Sequence, residues 1–324
     1  MEPVNDTVSV IVVNYNGEAF LEACLQSVLD QSRSPDQILV VDNASADQSL
    51  SLLQTSFPDI PLLALRENLG YAGACNRGIR ETTGELIAIL NNDLVLDSRW
   101  LESLLKENSP AWDFWACRIL FASDPSRVDS AGDGMAVVGS GFKIGHGDLA
   151  SHHETACEVF GACGAAALYR RSLLESVGGF DPDFFLIYED ADLNVRARLL
   201  GFRCLYVPGA VVLHRVNASI GSLSTTYVFF GHRNSEYVFW KNMPPRLLWS
   251  FMPERLLFNL LSLLFFLSKG RGGAFLKGKI DFIRKFPDIM QKRQRIQASR
   301  KVSTAEFRAH LERNWLKYRC RVKL

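Results

Sequence analysis

The chain has no C-x-x-C pair; its seven cysteines are scattered through 324 residues. That spacing argues against a disulfide framework and against a structural zinc site. No Gly-Lys-Ser/Thr is present, so there is no P-loop, and glycines at 70, 73 and 78 do not make the dinucleotide pattern G-x-G-x-x-G. The opening MEPVNDTVSVIVV lacks a basic segment before its apolar run, so it does not read as a secretory signal, and a reducing cytoplasmic setting is expected. There is no internal repeat and no low-complexity tract. In the second half, residues 256–267 form an uncharged stretch of twelve, short of the ~20 apolar residues that a membrane-spanning helix needs.

What is present is a foldable composition. Hydrophobic residues make up 48% and charged residues 22%, enough to bury a sizeable core and unlike a disordered, collagenous or coiled-coil chain. The length suits one large domain with an appendage, or two domains. The net charge of +1 conceals a split. Residues 1–215 carry 15 Lys and Arg against 29 Asp and Glu; residues 216–324 carry 21 against 6. Halves of opposite sign imply surfaces with different partners. A basic tail suits nucleic acid, anionic lipid or an acidic face of its own protein.

The first half alternates strands with helices. Residues 9–13 are a β-branched apolar run, hence a buried strand, followed by turn residues Asn14, Tyr15, Asn16 and Gly17. Phe20, Cys24 and Val28 recur at helical spacing. Strands are expected at 37–41, 62–65 and 85–90, with helices at 48–57, 76–82 and 99–107. This alternation predicts an α/β fold, a mainly parallel sheet flanked by helices. Residues 113–158 read as irregular with short strands, a candidate flap. Helices at 172–177 and 191–201 and a strand at 204–213, ending at His214, follow.

In an open parallel sheet, ligands bind beyond the carboxyl ends of the strands. Polar clusters sit at three such ends: Asn14-Tyr15-Asn16, Asp42-Asn43 and Asn91-Asn92-Asp93. Each alone is ordinary turn chemistry; three on one edge indicate a site. The segment from Asn68 through Gly70 and Asn76 to Gly78 is rich in small residues, which let backbone approach a ligand or simply pack tightly. Glu189, Asp190 and Asp192 crowd three carboxylates into four positions, at an expected helix start that favours negative charge.

The strings VSVIVVNYNGEAFLEACLQSV, ILVVDNAS, NLGYAGACNRGI, GELIAILNND, GACGAAALYRRSLLESVGGFDPDFFLIYEDADLNVRARLLGF and VPGAVVLH occur in this order. Together they resemble family 2 glycosyltransferases of the GT-A fold, particularly the rhamnosyltransferase-like branch, over roughly residues 8–215. The resemblance implies inverting transfer of a sugar, rhamnose or a related one, from a nucleotide diphosphate to an acceptor hydroxyl. It implies a dTDP- or UDP-linked donor, with Tyr15, Asn16, Asp42 and Asn43 at base and ribose, and with Asn68, Gly70 and Asn76 beside the nucleotide. An Asp can accept N3–H of a pyrimidine ring. Asn91, Asn92 and Asp93 stand where the family carries Asp-x-Asp, so the first carboxylate is missing here. Asp93 then holds Mg or Mn bridging the phosphates, and His214 matches a metal-facing histidine of some relatives. Asp190 is implied as the general base, with Asp192 as the alternative base or a helix-start stabiliser and Glu189 orienting the acceptor.

Residues 1–220 are thus read as the GT-A catalytic domain and 221–324 as a helical, basic, apolar extension. Its apolar stretch beside a polybasic tract is the two-part signal of peripheral membrane binding; a dimer interface or packing on the acidic half are the alternatives. The expected acceptor is a glycan or lipid-linked precursor of cell-envelope polysaccharide, at the inner face of the cell membrane, with no nucleic-acid partner. Two rivals remain: a degenerate nucleotide-sugar-binding subunit, suggested by Asn91, and a sugar-phosphate nucleotidyltransferase. The latter needs a Gly-rich loop with Arg and Lys after the first strand, where this chain has Asn14-Tyr15-Asn16-Gly17.

Overall fold

Valine and isoleucine crowd the first strand because it is buried on both faces, as a central parallel strand must be. The computed structural model describes residues 6–215 and 223–319. In chain order the strands are β1 (Val8–Asn14), β2 (Gln37–Asp42), β3 (Leu62–Ala64), β4 (Leu86–Asn91), β5 (Leu94–Leu96), β6 (Phe114–Phe121), β7 (Asp124–Ser130), β8 (Asp133–Ala136), β9 (Gly141–Lys143), β10 (Cys157–Val159), β11 (Ala166–Arg170), β12 (Cys204–His214) and β13 (Leu311–Glu312). The helices are α1 (Leu21–Leu29), α2 (Ser49–Ser56), α3 (Gly70–Glu81), α4 (Trp100–Lys106), α5 (Arg171–Val177), α6 (Glu189–Leu199), α7 (Thr225–Asn242), α8 (Pro245–Ser250), α9 (Met252–Ser268), α10 (Gly272–Ser299), α11 (Thr304–Ala309) and α12 (Trp315–Arg319).

Two compact units result. The first contains residues 6–133, 143–185 and 202–215; the second contains 134–142, 186–201 and 223–319. The first is built on a ten-stranded sheet whose main path runs β10-β12-β6-β11-β4-β1-β2-β3, with β5 on β12 and β7 on β6. The α/β architecture is the expected one, but the sheet is mixed rather than mainly parallel. Strands β4, β1, β2 and β3 pair in parallel. Strand β11 runs antiparallel to both β4 and β6. The strand–helix alternation of residues 8–107 dictates parallel crossovers there, whereas β6 turns straight back into antiparallel β7 without a helix. Residues 113–158 are also more regular than expected, since β6 to β10 occupy much of them.

Register explains why the polar strand ends converge. Asn14 pairs with Asp42 across β1 and β2, and Val13 with Asn91 across β1 and β4. The antiparallel pair β5–β12 sets His214 opposite Leu94, one residue past Asp93. Below these ends, Val10, Val12, Leu25, Leu90, Trp100 and Trp115 are part of one apolar core.

In the second unit, α7 carries the polar centre. Glu236 is buried and held by three side chains: Arg255, whose Nε donates to it at 3.3 Å and whose Nη2 lies 2.9 Å away, Asn259 Nδ2 at 2.8 Å and Lys279 Nζ. Burial works to raise its pKa, but Arg255 and Lys279 outweigh it and bring it down to about 2. In the unfolded chain, Glu236 returns to the ordinary value of about 4.5 and binds a proton more readily there. Its contribution is therefore complete above pH ~4.5 and lost as pH falls toward ~2, about 3 kcal/mol over the window. Urea unfolding between pH 6 and 3 is expected to show this loss in the parent and a much flatter profile in Glu236→Gln. Equal slopes in both would remove Glu236 from the account.

Candidate active site

In the first unit, an unbroken chain of amides and carboxylates joins the strand ends. Asn92 Nδ2 donates to Asn14 Oδ1 at 2.7 Å. Asn14 Nδ2 donates in turn to Asp42 Oδ1 at 2.8 Å and to Ser45 Oγ at 3.1 Å. Asp42 is fully buried and also accepts from the Ser45 hydroxyl and amide. Asn14 and Ser45 are neighbours within the fold, so Asp42 anchors the turn that follows β2. Gly17 lies against this network; a Cβ there would meet Asn92 Nδ2 at 2.0 Å. Asn16, at φ 50°, donates its amide to Ser45 Oγ and accepts the Ala46 amide through its side chain. Tyr15 beside it is 45% exposed, an aromatic face open for stacking.

Asn43 clamps the next turn. Its Nδ2 donates to Asn68 Oδ1 and Gly70 O, and its Oδ1 accepts the Leu69 amide. Gly70 begins α3 at φ 72°, where a Cβ would lie 2.4 Å from Phe185 O. No side chain fits, so the small-residue segment is explained by close packing as well as by backbone access. The helix starts at Gly70, six residues before the expected position, because Ala72, Gly73 and Ala74 are all buried helical residues. Asn76 spends both ends of its amide on Phe180, donating to its carbonyl at 2.7 Å and accepting its N–H at 2.9 Å. It is a clasp within the fold.

At the end of β4, two buried oxygens have no hydrogen-bond partner among the described residues: Asn91 Oδ1 and Asp93 Oδ1. His214 Nε2 lies 3.5 Å from Asp93 Oδ1. The other ring nitrogen, Nδ1, lies 2.8 Å from Asp129 Oδ2. A carboxylate only accepts, so Nδ1 carries a proton toward Asp129, and Nε2 is the ring position that a metal would take in exchange for its own proton. This carboxylate–histidine pairing is the arrangement that orients metal-binding imidazoles. Asp129 is itself fully buried and takes Lys143 Nζ at 2.7 Å and His146 Nδ1 at 3.2 Å. Burial works to raise its pKa, but bonds from His146 and His214 and the Lys143 charge hold it well below the usual carboxylate range. For His214, burial pulls the pKa down, yet Asp129 and Asp93 more than reverse this and raise it. The strand-end pattern in the sequence does not single out Asp129, Lys143 or His146. A charged residue between Val128 and Ala131, with Lys143 and His146 on the returning segment, was the available signal.

In the second unit, the acidic triplet opens α6. The backbone entering it is strained: Ile187 and Tyr188 have φ of 64° and 74°. Such conformations cost about 1–3 kcal/mol each for non-glycine residues and persist only where surroundings enforce them. Here buried Asn234 of α7 donates to the carbonyls of Leu186 and Ile187 at 2.8 and 2.6 Å. The Tyr188 hydroxyl lies 3.1 Å from Ser140 Oγ.

The three carboxylates have separate environments. Asp192 is fully buried and bound to Arg196 Nε at 2.8 Å, Lys241 Nζ at 2.7 Å and Asn242 Nδ2 at 2.7 Å. It is saturated by partners of the fold. Glu189 is buried too, but its Oε2 has no partner among the described residues. Burial, then the charges of Asp190 and Asp192, push its pKa well above the ordinary value. Asp190 is half-buried, and its Oδ1 accepts the Ala191 amide at 2.6 Å. Of the three, Asp190 alone combines partial exposure with the helix N-terminus.

The family model described as glycosyl transferase family 2 matches residues 9–178. The chain is 28% identical over 262 residues to the N-acetylglucosaminyl-diphospho-decaprenol L-rhamnosyltransferase of Mycobacterium tuberculosis, covering 73% of this chain and 84% of that one. It is 28% identical over 231 residues to the O-antigen biosynthesis protein RfbC of Myxococcus xanthus, covering 67% of this chain but only 18% of that longer protein. Among solved structures, GalNAc-T7 with UDP, GalNAc and Mn2+ superposes with a TM-score of 0.58 at 14% identity, covering 72% of this chain and 48% of that one. The mannosyltransferase PcManGT of Pyrobaculum calidifontis, in complex with GDP-Man and Mn2+, gives 0.55 at 21% identity, covering 95% and 87%. The fold is GT-A, and the chain belongs to glycosyl transferase family 2.

Proposed function

We propose that this protein is an inverting glycosyltransferase that moves rhamnose or a related sugar from a dTDP- or UDP-linked donor to a glycan or lipid-linked acceptor of envelope polysaccharide. The observation that carries the reading is a pair of buried oxygens, Asn91 Oδ1 and Asp93 Oδ1, without a hydrogen bond among the described residues, with His214 Nε2 3.5 Å from Asp93. Oxygen ligands with one imidazole nitrogen suit Mg or Mn, so these residues fit a divalent cation. When bound, the cation supplies charge compensation for the departing diphosphate. Asp93 and His214 would hold it, with Asp129 fixing the imidazole. Asn91 carries no charge, so more of the holding falls to donor phosphates.

The protein's own groups do the rest. Tyr15, Asn16 and Asn68 would meet base and ribose, with Asp42 keeping Asn14 and the Ser45 turn in place and Asn43 clamping the turn that carries Asn68. Asp190 accepts the proton of the acceptor hydroxyl as that oxygen bonds to the anomeric carbon and the sugar–phosphate bond breaks. One displacement inverts the centre and needs no covalent nucleophile. Burial and the neighbouring carboxylates favour the neutral acid of Glu189, the form that would donate a hydrogen bond to the acceptor. In this reading residues 1–220 carry the chemistry, and 221–324 serve attachment at the cytoplasmic face of the membrane.

A thermal-shift screen of nucleotide sugars, with and without manganese, tests the donor assignment. At a hundredfold excess over Kd, binding contributes about 2.7 kcal/mol, or roughly 3–8 °C in Tm. Shifts of this size are expected for dTDP- and UDP-sugars with manganese and smaller ones without it. A shift confined to GDP-sugars would overturn the pyrimidine assignment.

A further inference from the structure

Helix α9 packs through Arg255, Phe258, Ser262 and Phe266, which are buried. On its other side stand Leu256, Leu257, Leu260, Leu261, Leu264 and Leu267, each 38–61% exposed. At 100° per residue these six leucines fill an arc of roughly 140°, opposite the buried stripe. An amphipathic helix that folds on its weaker apolar face and exposes its richer one is reversed for a chain surrounded by water. Helix α10 repeats the pattern with exposed Leu276, Ile280 and Ile283.

The exposed charges beside these faces are mainly of one sign; Asp288, on α10, lies 3.9 Å from Lys285, and Asp281 is taken by Arg233. Lys269 and Arg271 follow the end of α9, and Lys277, Arg284 and Lys285 lie along α10, all five exposed. Other cations of the same segment are taken by the fold. Arg255 and Lys279 serve Glu236, and Arg293 donates to the carbonyls of Trp240 and Met243. The outward cations are therefore a selected set, fewer than the sequence count implies. Among the described residues, no helix is long and apolar enough to cross a membrane.

We infer that the leucine face of α9 lies in the plane of an anionic lipid surface, with the neighbouring lysines and arginines at headgroup level. The inference builds on the envelope-synthesis reading only in naming the membrane; the binding itself needs no turnover. A second copy of the chain is the other occupant an apolar face can take. A self-complementary contact on this face, however, would bring two like-charged sets together, which anionic lipid turns into attraction. An interfacial helix also needs no spanning length, because its axis lies along the surface.

Flotation of the full chain with vesicles of phosphatidylglycerol and phosphatidylcholine, and of phosphatidylcholine alone, tests this without substrate. The parent is expected to float with anionic vesicles at low salt. Raising salt should weaken binding without abolishing it, because leucine burial is not screened. Leu260→Glu/Leu264→Glu changes two exposed positions, so the fold should be kept, checked by circular dichroism, while the vesicle-bound fraction falls at least about tenfold. A parent that stays unbound to anionic vesicles at low salt overturns the inference. So does a double variant that floats as well as the parent, or a concentration-dependent dimer that the variant dissolves in the absence of flotation. An enzyme that floats but transfers no sugar leaves the inference standing and counts against the catalytic reading alone.

Discussion

Asp190→Asn is expected to bind donor normally and to lose about 10²–10⁴ in turnover, the usual cost of removing a general base. The substitution preserves shape and removes the acceptor of the proton. The head of α6 should survive it, since Asp190 is half-buried and Asn234 holds the preceding carbonyls independently. Asp192→Asn should behave differently. Its carboxylate meets Arg196, Lys241 and Asn242 in full burial. Removing one partner from such a cluster leaves buried cations uncompensated, at a cost of about 3–5 kcal/mol. The two variants thus separate by assay: a chemical defect with unchanged urea midpoint for Asp190, a large midpoint shift for Asp192. Near-normal turnover in Asp190→Asn, with a stable but inactive Asp192→Asn, would transfer the base to Asp192.

The central half of the sheet was legible because buried parallel strands are unbroken apolar runs ended by turn residues. Val8–Asn14, Gln37–Asp42 and Leu86–Asn91 all have that form, and their register places the polar ends together. Strand β7 was not legible. Its first four residues, Asp-Pro-Ser-Arg, are exposed, so Asp124–Ser130 looks like a loop although its last three, Asp129 among them, are buried. Asn76 shows the converse limit. Its position in a motif suggested a ligand, but Phe180 uses both ends of its amide, and no local pattern announces a partner about a hundred residues away. The apolar run of α9 marked a helix with something to cover; periodicity does not say which stripe the rest of the chain will bury, and here it buries the other one.

Asp93→Ala is expected to cost about 10²–10³ in kcat/KM, and chelator to stop transfer by the parent, since a cation at a leaving diphosphate supplies several kcal/mol of charge stabilisation. The missing acid at position 91 makes the site unusually dependent on this one carboxylate and on His214. Asp129→Asn grades the effect. An amide can turn its NH2 toward His214 and no longer compels Nδ1 to donate, so Nε2 loses its assured lone pair. Losses of about 10–100-fold in metal affinity are typical when the partner behind a ligand is changed. Manganese binding, followed by the paramagnetic resonance of the free ion, reads this without turnover. Affinity should fall in the order parent, Asp129→Asn, Asp93→Ala, with circular dichroism confirming that the buried Lys143 partner has not unfolded the unit. Full activity in excess chelator, or manganese affinity indifferent to both substitutions, would remove the cation from Asp93 and leave the diphosphate to be held by arginines and helix N-termini.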